Sequence, residues 1–252
     1  MPVPAPVNCL ILLAGIFAVG AAEQDPLDPN EAETQLRALG ALIDKDLRTH
    51  EVIEVRLNNK SLTDNDLRWL VPFQQISDLS LEDTPIGDAA LSHISRLDHL
   101  EWLNLYQTKV SDNGLKHLVR LRTLHELHIG RTSVTDEGLR TIRQMSQLVV
   151  LGLRDTRVTD AGLPSLATRT SLESLNLSET SVSRKGLETL RVLPALRTLW
   201  LNRTPLDDSG VPALEQLKSL LEIHLTGTRV TRGGIDRLRD AKPRRRVIVD
   251  DQ

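Results

Sequence analysis

Three side chains that could bind a metal ion or transfer a proton lie close together at His125, Glu126 and His128. Successive side chains of a β-strand point to opposite faces, so Glu126 and His128 would share one face while His125 points to the other. A zinc site needs three or four protein ligands, and two on one face are too few. The sequence therefore predicts no metal and no cofactor at this place.

No catalytic signature is found elsewhere in the chain. The sequence contains no G-x-S-x-G, H-E-x-x-H, G-x-G-x-x-G or phosphate-loop motif. Its one cysteine, Cys9, lies within residues 1–22, which are expected to be removed, so thiol chemistry is not expected either. We predict that the protein is not an enzyme, and an enzyme built on Glu126 and His128 is kept only as a remote alternative.

The few aromatic residues are more informative. Trp102, Tyr106 and Trp200 fall at strand positions that are predicted to face solvent, where folding gives no reason for an aromatic ring. Such rings are common anchors of protein interfaces, although rings that only cover their neighbours are also ordinary. The predicted ligand-binding residues lie around these rings in two groups. The first is a patch of Trp102, Tyr106, Glu126, His128 and Arg154, and the second is a separate contact of Trp200, Asn202 and His224.

These residues are positioned by a repeat of 24 residues. The repeat occurs in eight consecutive copies without a shift in spacing, the first beginning at Val52 and the last at Leu220. Positions 1, 4, 6, 11, 16 and 19 are apolar in every copy. A fixed period of this length predicts a solenoid, in which each unit buries its apolar face against its neighbours.

Each copy predicts a strand, a turn and a helix. In the copy that begins at Leu148, strand alternation turns Leu151 and Leu153 toward the core, and Thr159 precedes the helix as a capping residue. Threonine at position 9, found in seven copies, is predicted to bond the backbone of the turn. Glycine at position 15, found in the last six copies, is predicted to let the helix start pass close to other backbone.

The pattern L-x-x-L-x-L-x-x-T-x-[VI]-[TS]-D-x-G-L-x-x-L resembles the leucine-rich repeat, in the short form of F-box-associated cysteine-containing repeats and many exported bacterial proteins. The resemblance implies an α/β solenoid curved into a right-handed horseshoe, with a parallel sheet on the concave face and short helices on the convex face. It implies little about function, because this fold binds many partners. The chain departs from the pattern at Arg184, where Asp is usual, and at Arg169, where an apolar residue is usual.

The pattern divides the chain into four segments. Residues 1–22 hold an uncharged apolar run that ends in small residues, and they are predicted to be a signal peptide, or else an uncleaved anchor. Residues 23–51 are predicted to form a linker and an N-terminal cap, with a helix opened by Asn30 and then a strand. The eight repeats occupy residues 52–240, and residues 241–252 add a C-terminal capping strand preceded by a solvated basic turn at Arg244–Arg246.

The net charge of the chain and the charges of its predicted concave face limit the kinds of partner that it could bind. The net charge is −3, and the predicted concave positions hold ten acidic residues against five arginines, which disfavours nucleic acid and anionic lipid. We predict a monomeric, non-catalytic module that is exported to the periplasm or secreted, without membrane insertion beyond its N-terminal segment. It would bind a protein or a cell-wall or glycan ligand through the concave sheet. The alternative is an intracellular adaptor, such as a ubiquitin-ligase substrate receptor.

Overall fold

The computed structural model describes residues 27–249, and within that range ten strands form one sheet whose spatial order follows the chain order. The strands are β1 (Leu42–Lys45), β2 (Val52–Arg56), β3 (Asp78–Ser80), β4 (Trp102–Asn104), β5 (Glu126–His128), β6 (Val150–Gly152), β7 (Ser174–Asn176), β8 (Thr198–Trp200), β9 (Glu222–His224) and β10 (Arg246–Ile248). β1 is antiparallel to β2, and each later pair is parallel. Consecutive parallel strands need a crossover after each one.

Short helical segments supply those crossovers, and one further helix, α1 (Pro29–Ala38), precedes the sheet. The crossover helices are α2 (Ala90–Ile94), α3 (Asp112–Leu118), α4 (Asp136–Ile142), α5 (Arg184–Leu190), α6 (Val211–Gln216) and α7 (Arg232–Ala241), with 3-10 segments at Asp64–Leu70, Leu163–Leu166 and Asp208–Gly210. Consecutive helices contact one another along the stack. The predicted α/β solenoid, with a sheet on one face and short helices on the other, is confirmed.

Residues 24 positions apart in sequence are direct neighbours in the sheet, as in the pair Glu54 and Asp78. Leu151 and Leu153 are 1% and 0% exposed, whereas Val150 and Arg154 are partly exposed, so the predicted inward and outward positions are confirmed. We call the sheet surface formed by positions 3, 5, 7 and 8 of each repeat the open face.

The threonines at position 9 stabilise the turn after the strand by a hydrogen bond to the backbone. The hydroxyl of Thr156 donates a hydrogen bond to the carbonyl oxygen of Leu153 at 2.7 Å. The same bond recurs in the seven copies that carry this threonine, at Thr84, Thr108, Thr132, Thr156, Thr180, Thr204 and Thr228. The predicted role is confirmed, and in three copies the same carbonyl oxygen also accepts a hydrogen bond from the threonine's own backbone N–H, as Leu177 does from Thr180 at 3.3 Å.

A second ladder ties each helix start to the next repeat. The carboxylate of Asp136, in the first turn of α4, accepts hydrogen bonds from the backbone N–H of Thr159 at 2.8 Å and from its hydroxyl at 2.7 Å. Asp88, Asp112, Asp160 and Asp208 make the same pair of bonds to the following repeat. Arg184 takes the aspartate's place in the sixth repeat and interrupts the ladder there.

This ladder corrects the explanation for glycine at position 15. A Cβ atom at Gly138 would lie 2.5 Å from a carboxylate oxygen of Asp112, and one at Gly162 would meet Asp136 in the same way. The nearest atoms belong to the aspartate side chain of the preceding repeat, so the predicted approach to other backbone is wrong. In five of the six copies, glycine is needed because the aspartate of the ladder fills the space that a side chain would take. At Gly210, which follows the interruption at Arg184, the atoms in that space belong to Leu206 instead.

The two ends of the stack also differ from prediction. The capping residue of α1 is Asp28, whose carboxylate accepts from the Asn30 backbone N–H at 3.1 Å, because Pro29 fixes the first helical position. Asn30 is therefore not the cap. At the other end Arg245 is 4% exposed, and its guanidinium donates to the carbonyl oxygen of Leu217 at 3.0 Å. The basic run is thus not a fully solvated turn.

Arg169 occupies a position that is apolar in most repeats, and it is 7% exposed. Two of its guanidinium nitrogens, Nε and Nη1, have no hydrogen-bond partner among the described residues. Burial, assisted by the nearby charge of Arg143, lowers the pKa of Arg169.

Among the helices of residues 27–249, none is long and apolar enough to cross a membrane.

Candidate binding face

The sheet register places Trp102, the predicted anchor on β4, next to Glu126 on β5, and it places Asn104 next to His128. The Trp102 and His128 rings lie 5.7 Å apart between centroids and are inclined at 54°. Trp102 is partly exposed, so one side of its ring is covered while part of the side chain is accessible to a partner.

His128 is held flat against the sheet because the next strand has glycine at the equivalent position. A Cβ atom at Gly152 would lie only 2.9 Å from Nδ1 of His128. Burial lowers the pKa of His128, although the nearby charge of Glu126 acts in the opposite direction. His128 is therefore mainly neutral at neutral pH and serves as an aromatic surface.

The pair of possible metal ligands, His128 and Glu126, does not grow into a larger cluster. Their nearest nitrogen and oxygen atoms are 3.9 Å apart. Across residues 27–249 no group of three or more His, Cys, Asp or Glu side chains is placed to hold a metal ion.

Tyr106 lies over the neighbouring glycine in the same manner. A Cβ atom at Gly130 would be 2.9 Å from Cδ2 of Tyr106, and the guanidinium carbon of Arg131 is 5.9 Å from the ring centroid. The ring of Trp102 on β4, the ring of Tyr106 in the turn after β4 and the ring of His128 on β5 thus lie in neighbouring repeats, with Glu126 beside them. We call these four residues the aromatic patch.

Arg154, predicted to belong with this patch, is bonded in the opposite direction along the sheet. Its Nη2 donates to Oε1 of Glu179 at 2.8 Å, and Nη1 of Arg203 donates to the same oxygen at 3.3 Å. Burial raises the pKa of Glu179, but the hydrogen bond from Arg154 and the surrounding arginine charges outweigh it and leave that pKa below its ordinary value. Glu179 is therefore a carboxylate shared by two arginines.

Trp200, Asn202 and His224 form the second predicted group. The Trp200 and His224 rings are stacked, with centroids 5.2 Å apart and planes inclined at 23°. His224 approaches Glu222 at 2.8 Å, and Glu222 also accepts a hydrogen bond from Arg246 on β10 at 2.6 Å. The side-chain oxygen of Asn202 accepts from the backbone N–H of Thr226 at 3.0 Å, which fixes the amide in place.

An open pocket of about 360 Å³ connects Arg154 to this second group. Its lining residues come from four consecutive repeats and are Arg154, Asn176, Ser178, Glu179, Trp200, Asn202, Arg203 and Thr226. We call it the arginine pocket. The structure thus brings Arg154, Trp200 and Asn202 together in one pocket, while Trp102, Tyr106, Glu126 and His128 remain a separate patch.

Sequence reasoning counted the residues at position 8 among the charges of the concave face but named none of them as a ligand-binding residue. This position adopts a positive φ in all eight repeats, including φ 58° at Gln107, 50° at Arg131 and 59° at Glu179. Non-glycine residues seldom adopt this conformation, so residue type gave little indication of it. The turn places these side chains along one edge of the open face, where Arg131 contacts both Gln107 and Asp155 at 3.1 Å.

The charges of the open face are unevenly distributed. When the adjoining position 2 is counted with positions 3, 5, 7 and 8, the first four repeats carry six of the ten acidic residues and two of the five arginines, whereas the last four carry four acids and three arginines. The N-terminal half is therefore strongly acidic, and the half that contains the arginine pocket is nearly balanced.

Known proteins with a similar sequence pattern or structure support the repeat architecture. A family model described as a leucine-rich repeat matches residues 120–142. No curated protein sequence gives a significant match. Internalin C2 from Listeria monocytogenes has a similar structure, with a TM-score of 0.61 and 22% sequence identity, covering 88% of this chain and 92% of internalin C2.

A second similar structure is the plant peptide hormone receptor RGFR1 in complex with RGF2. Its TM-score is 0.52 at 18% identity, covering 82% of this chain and 36% of the receptor chain. In all, 455 solved chains match, so the fold alone selects no single function. The matched repeat model and these two likenesses agree with the register of the sheet, and the chain has the leucine-rich repeat fold.

Proposed function

We propose that the protein is a non-catalytic, exported recognition module that binds a protein or cell-surface ligand through its open face. The observation that carries this proposal is the aromatic patch. Trp102 on β4 and Tyr106 in the following turn lie outside the buried core, in a repeat whose inward positions are already filled by Leu103 and Leu105. Partly exposed aromatic rings beside charged groups are typical of residues that dominate binding energy.

The comparisons support a binding function in general. The RGFR1 structure contains a peptide hormone, RGF2, so a chain with this fold binds a peptide in that case. The backbone that carries the side chains of the open face is also rigid, because the apolar core fixes each strand and the threonine hydrogen bonds fix each turn. A rigid surface loses less conformational entropy on binding than a mobile one.

The aromatic patch can be tested by mutation once a partner has been captured from the native source by chemical cross-linking. We expect Trp102→Ala and Tyr106→Ala each to weaken that partner's binding by about 1–2 kcal/mol, with little change in melting temperature, because both rings are anchors outside the core. Isothermal titration calorimetry measures the binding, and circular dichroism measures the melting.

The matched control is Arg140→Ala, an exposed residue on helix α4 away from the sheet. It should leave affinity unchanged. If Arg140→Ala weakens binding while both aromatic variants bind like the parent, the helical side is the binding surface and the open face is not.

Export is the second part of the proposal, and it depends on residues 1–22, which lie outside the described residues. We expect removal of the N-terminus after Ala21 or Ala22, since small residues close the apolar run there. Intact-mass spectrometry of protein from the native host tests this expectation. A protein that still begins at Met1 or Pro2 would contradict cleavage, and recovery of that protein from the cytoplasm would favour the adaptor alternative.

A further inference from the structure

Two buried polar groups in the arginine pocket have no hydrogen-bond partner. Ser178 is 3% exposed, and its Oγ has no partner among the described residues; the Nε of Arg154 is likewise buried and unpaired. A buried polar group without a partner costs free energy, typically about 1–3 kcal/mol. Both residues line the same pocket, so a ligand that enters it could satisfy both groups at once.

The remaining lining groups are mostly hydrogen-bond donors. The side-chain oxygens of Asn176 and Asn202 already accept from the backbone N–H groups of Ser178 and Thr226, at 3.0 Å each, which leaves their NH₂ ends for the pocket. The one carboxylate, Glu179, is already bonded to Arg154 and Arg203. The three charged side chains therefore sum to one net positive charge.

We infer that the arginine pocket binds a carboxylate side chain, that of an Asp or Glu residue in a peptide segment of the partner. This inference rests on the proposed recognition function of the open face. A carboxylate accepts hydrogen bonds and carries the charge that complements two arginines. It could accept from the unpaired Ser178 hydroxyl and Arg154 Nε, and the wall formed by Trp200 would contact the methylene groups of the ligand.

A neutral sugar fits this pocket less well. Sugar hydroxyls donate as well as accept, and Glu179, the only charged acceptor in the lining, is already occupied by two arginines. Sugars also stack on open aromatic faces, whereas one side of Trp200 is covered by His224. The six acids of the N-terminal half lie on other repeats and do not line the pocket.

The test uses the three tryptophan indole N–H signals of the full ¹⁵N-labelled chain, assigned with Trp→Phe variants. The probes are the capped tripeptides acetyl-Gly-Glu-Gly-amide and acetyl-Gly-Gln-Gly-amide, with sodium acetate as the free-ion comparison. We expect a saturable shift of the Trp200 signal with the Glu peptide, and about tenfold weaker binding of the uncharged Gln peptide. A shift with acetate as strong as with the Glu peptide would mean that the pocket takes a free anion and would overturn a peptide ligand.

Substitutions of the residues that line the pocket test which groups bind the carboxylate. Arg154→Ala should weaken binding of the Glu peptide by about tenfold and Ser178→Ala by about fivefold, because each removes a hydrogen-bond donor. Glu179→Gln should instead tighten binding by about fivefold, because it removes the carboxylate that competes for both arginines. The control Arg197→Ala makes the same charge change outside the pocket and should leave affinity within about twofold.

Circular dichroism melting establishes whether each variant is folded. If Arg154→Ala does not fold, the inference is tested by the other two variants, since Ser178→Ala should weaken binding of the Glu peptide and Glu179→Gln should tighten it. Equal shifts from the two peptides, no saturable shift, or weaker binding by Glu179→Gln would overturn the inference.

The two proposals can fail separately. If Trp102→Ala weakens partner binding as expected while the Trp200 signal does not shift with the Glu peptide, the recognition function stands and the pocket inference fails. If the Trp200 signal responds to the Glu peptide while partner binding is unaffected by either aromatic variant, the pocket stands and the aromatic patch is wrong.

Discussion

Leu175→Asp is expected to lower the free energy of unfolding by on the order of 5 kcal/mol, which would unfold much of the repeat stack. Leu175 is 0% exposed at the centre of β7, between Leu151 on β6 and Leu199 on β8. The substitution removes apolar contacts with both neighbouring repeats and buries a carboxylate that has no partner there. Urea unfolding followed by circular dichroism measures the loss.

Ser174→Asp is the matched control, because it introduces the same residue one position earlier on the same strand. Ser174 is partly exposed on the open face, beside Val150 and Thr198. A partly exposed carboxylate retains much of its hydration, so the change should be within about 0.5 kcal/mol. Equal unfolding midpoints for the two variants would mean that the assignment of inward and outward faces is wrong, since a shift of one residue exchanges them.

The part of the fold that could be predicted depends on burial. Apolar side chains at six fixed positions can all be buried only when every repeat stacks in the same register, so the sequence pattern determines both the strands and their inward faces. Thr156 was equally predictable, because a hydroxyl near the end of a strand has few acceptors within reach other than the backbone of its own turn.

Features that depend on the neighbouring repeat could not be read from one repeat. Gly162 is required by the Asp136 carboxylate, 26 positions earlier in the sequence, and no pattern within a single copy reveals that contact. The choice of Asp28 over Asn30 as helix cap was decided by Pro29, which both residues flank. Where two capping residues lie close together, the fixed φ of proline determines which one precedes the helix.

The candidate site was predicted only in outline, for a similar reason. The positions of Trp102 and Trp200 follow from strand alternation, but the bonding partner of Arg154 depends on where the next turn places Glu179. That turn adopts a positive φ, which glutamate seldom does. Strand alternation therefore indicated which face the charges occupy, whereas the turn conformation determined which charges meet.

The aspartate ladder gives the second large prediction. Asp136→Ala should lower the free energy of unfolding by about 3 kcal/mol, because it removes two hydrogen bonds to a charged group, each worth about 1.5–3 kcal/mol. It also leaves the backbone N–H of Thr159 without that acceptor at a partly buried position. Glu137→Ala is the control, since it removes the next acid of the same helix turn, which is exposed and bonded only to Arg140, and it should cost less than about 1 kcal/mol.

A double-mutant cycle distinguishes the ladder from a general effect on helix α4. Gly162→Ala should destabilise the parent, because its new methyl group would meet the Asp136 carboxylate. In the Asp136→Ala background that obstacle is absent, so the same change should cost at least about 1 kcal/mol less. Urea unfolding of the four proteins measures the coupling. Additive effects would mean that the glycine and the aspartate act independently, and that the restriction at position 15 comes from Leu139, the other side chain close to Gly162.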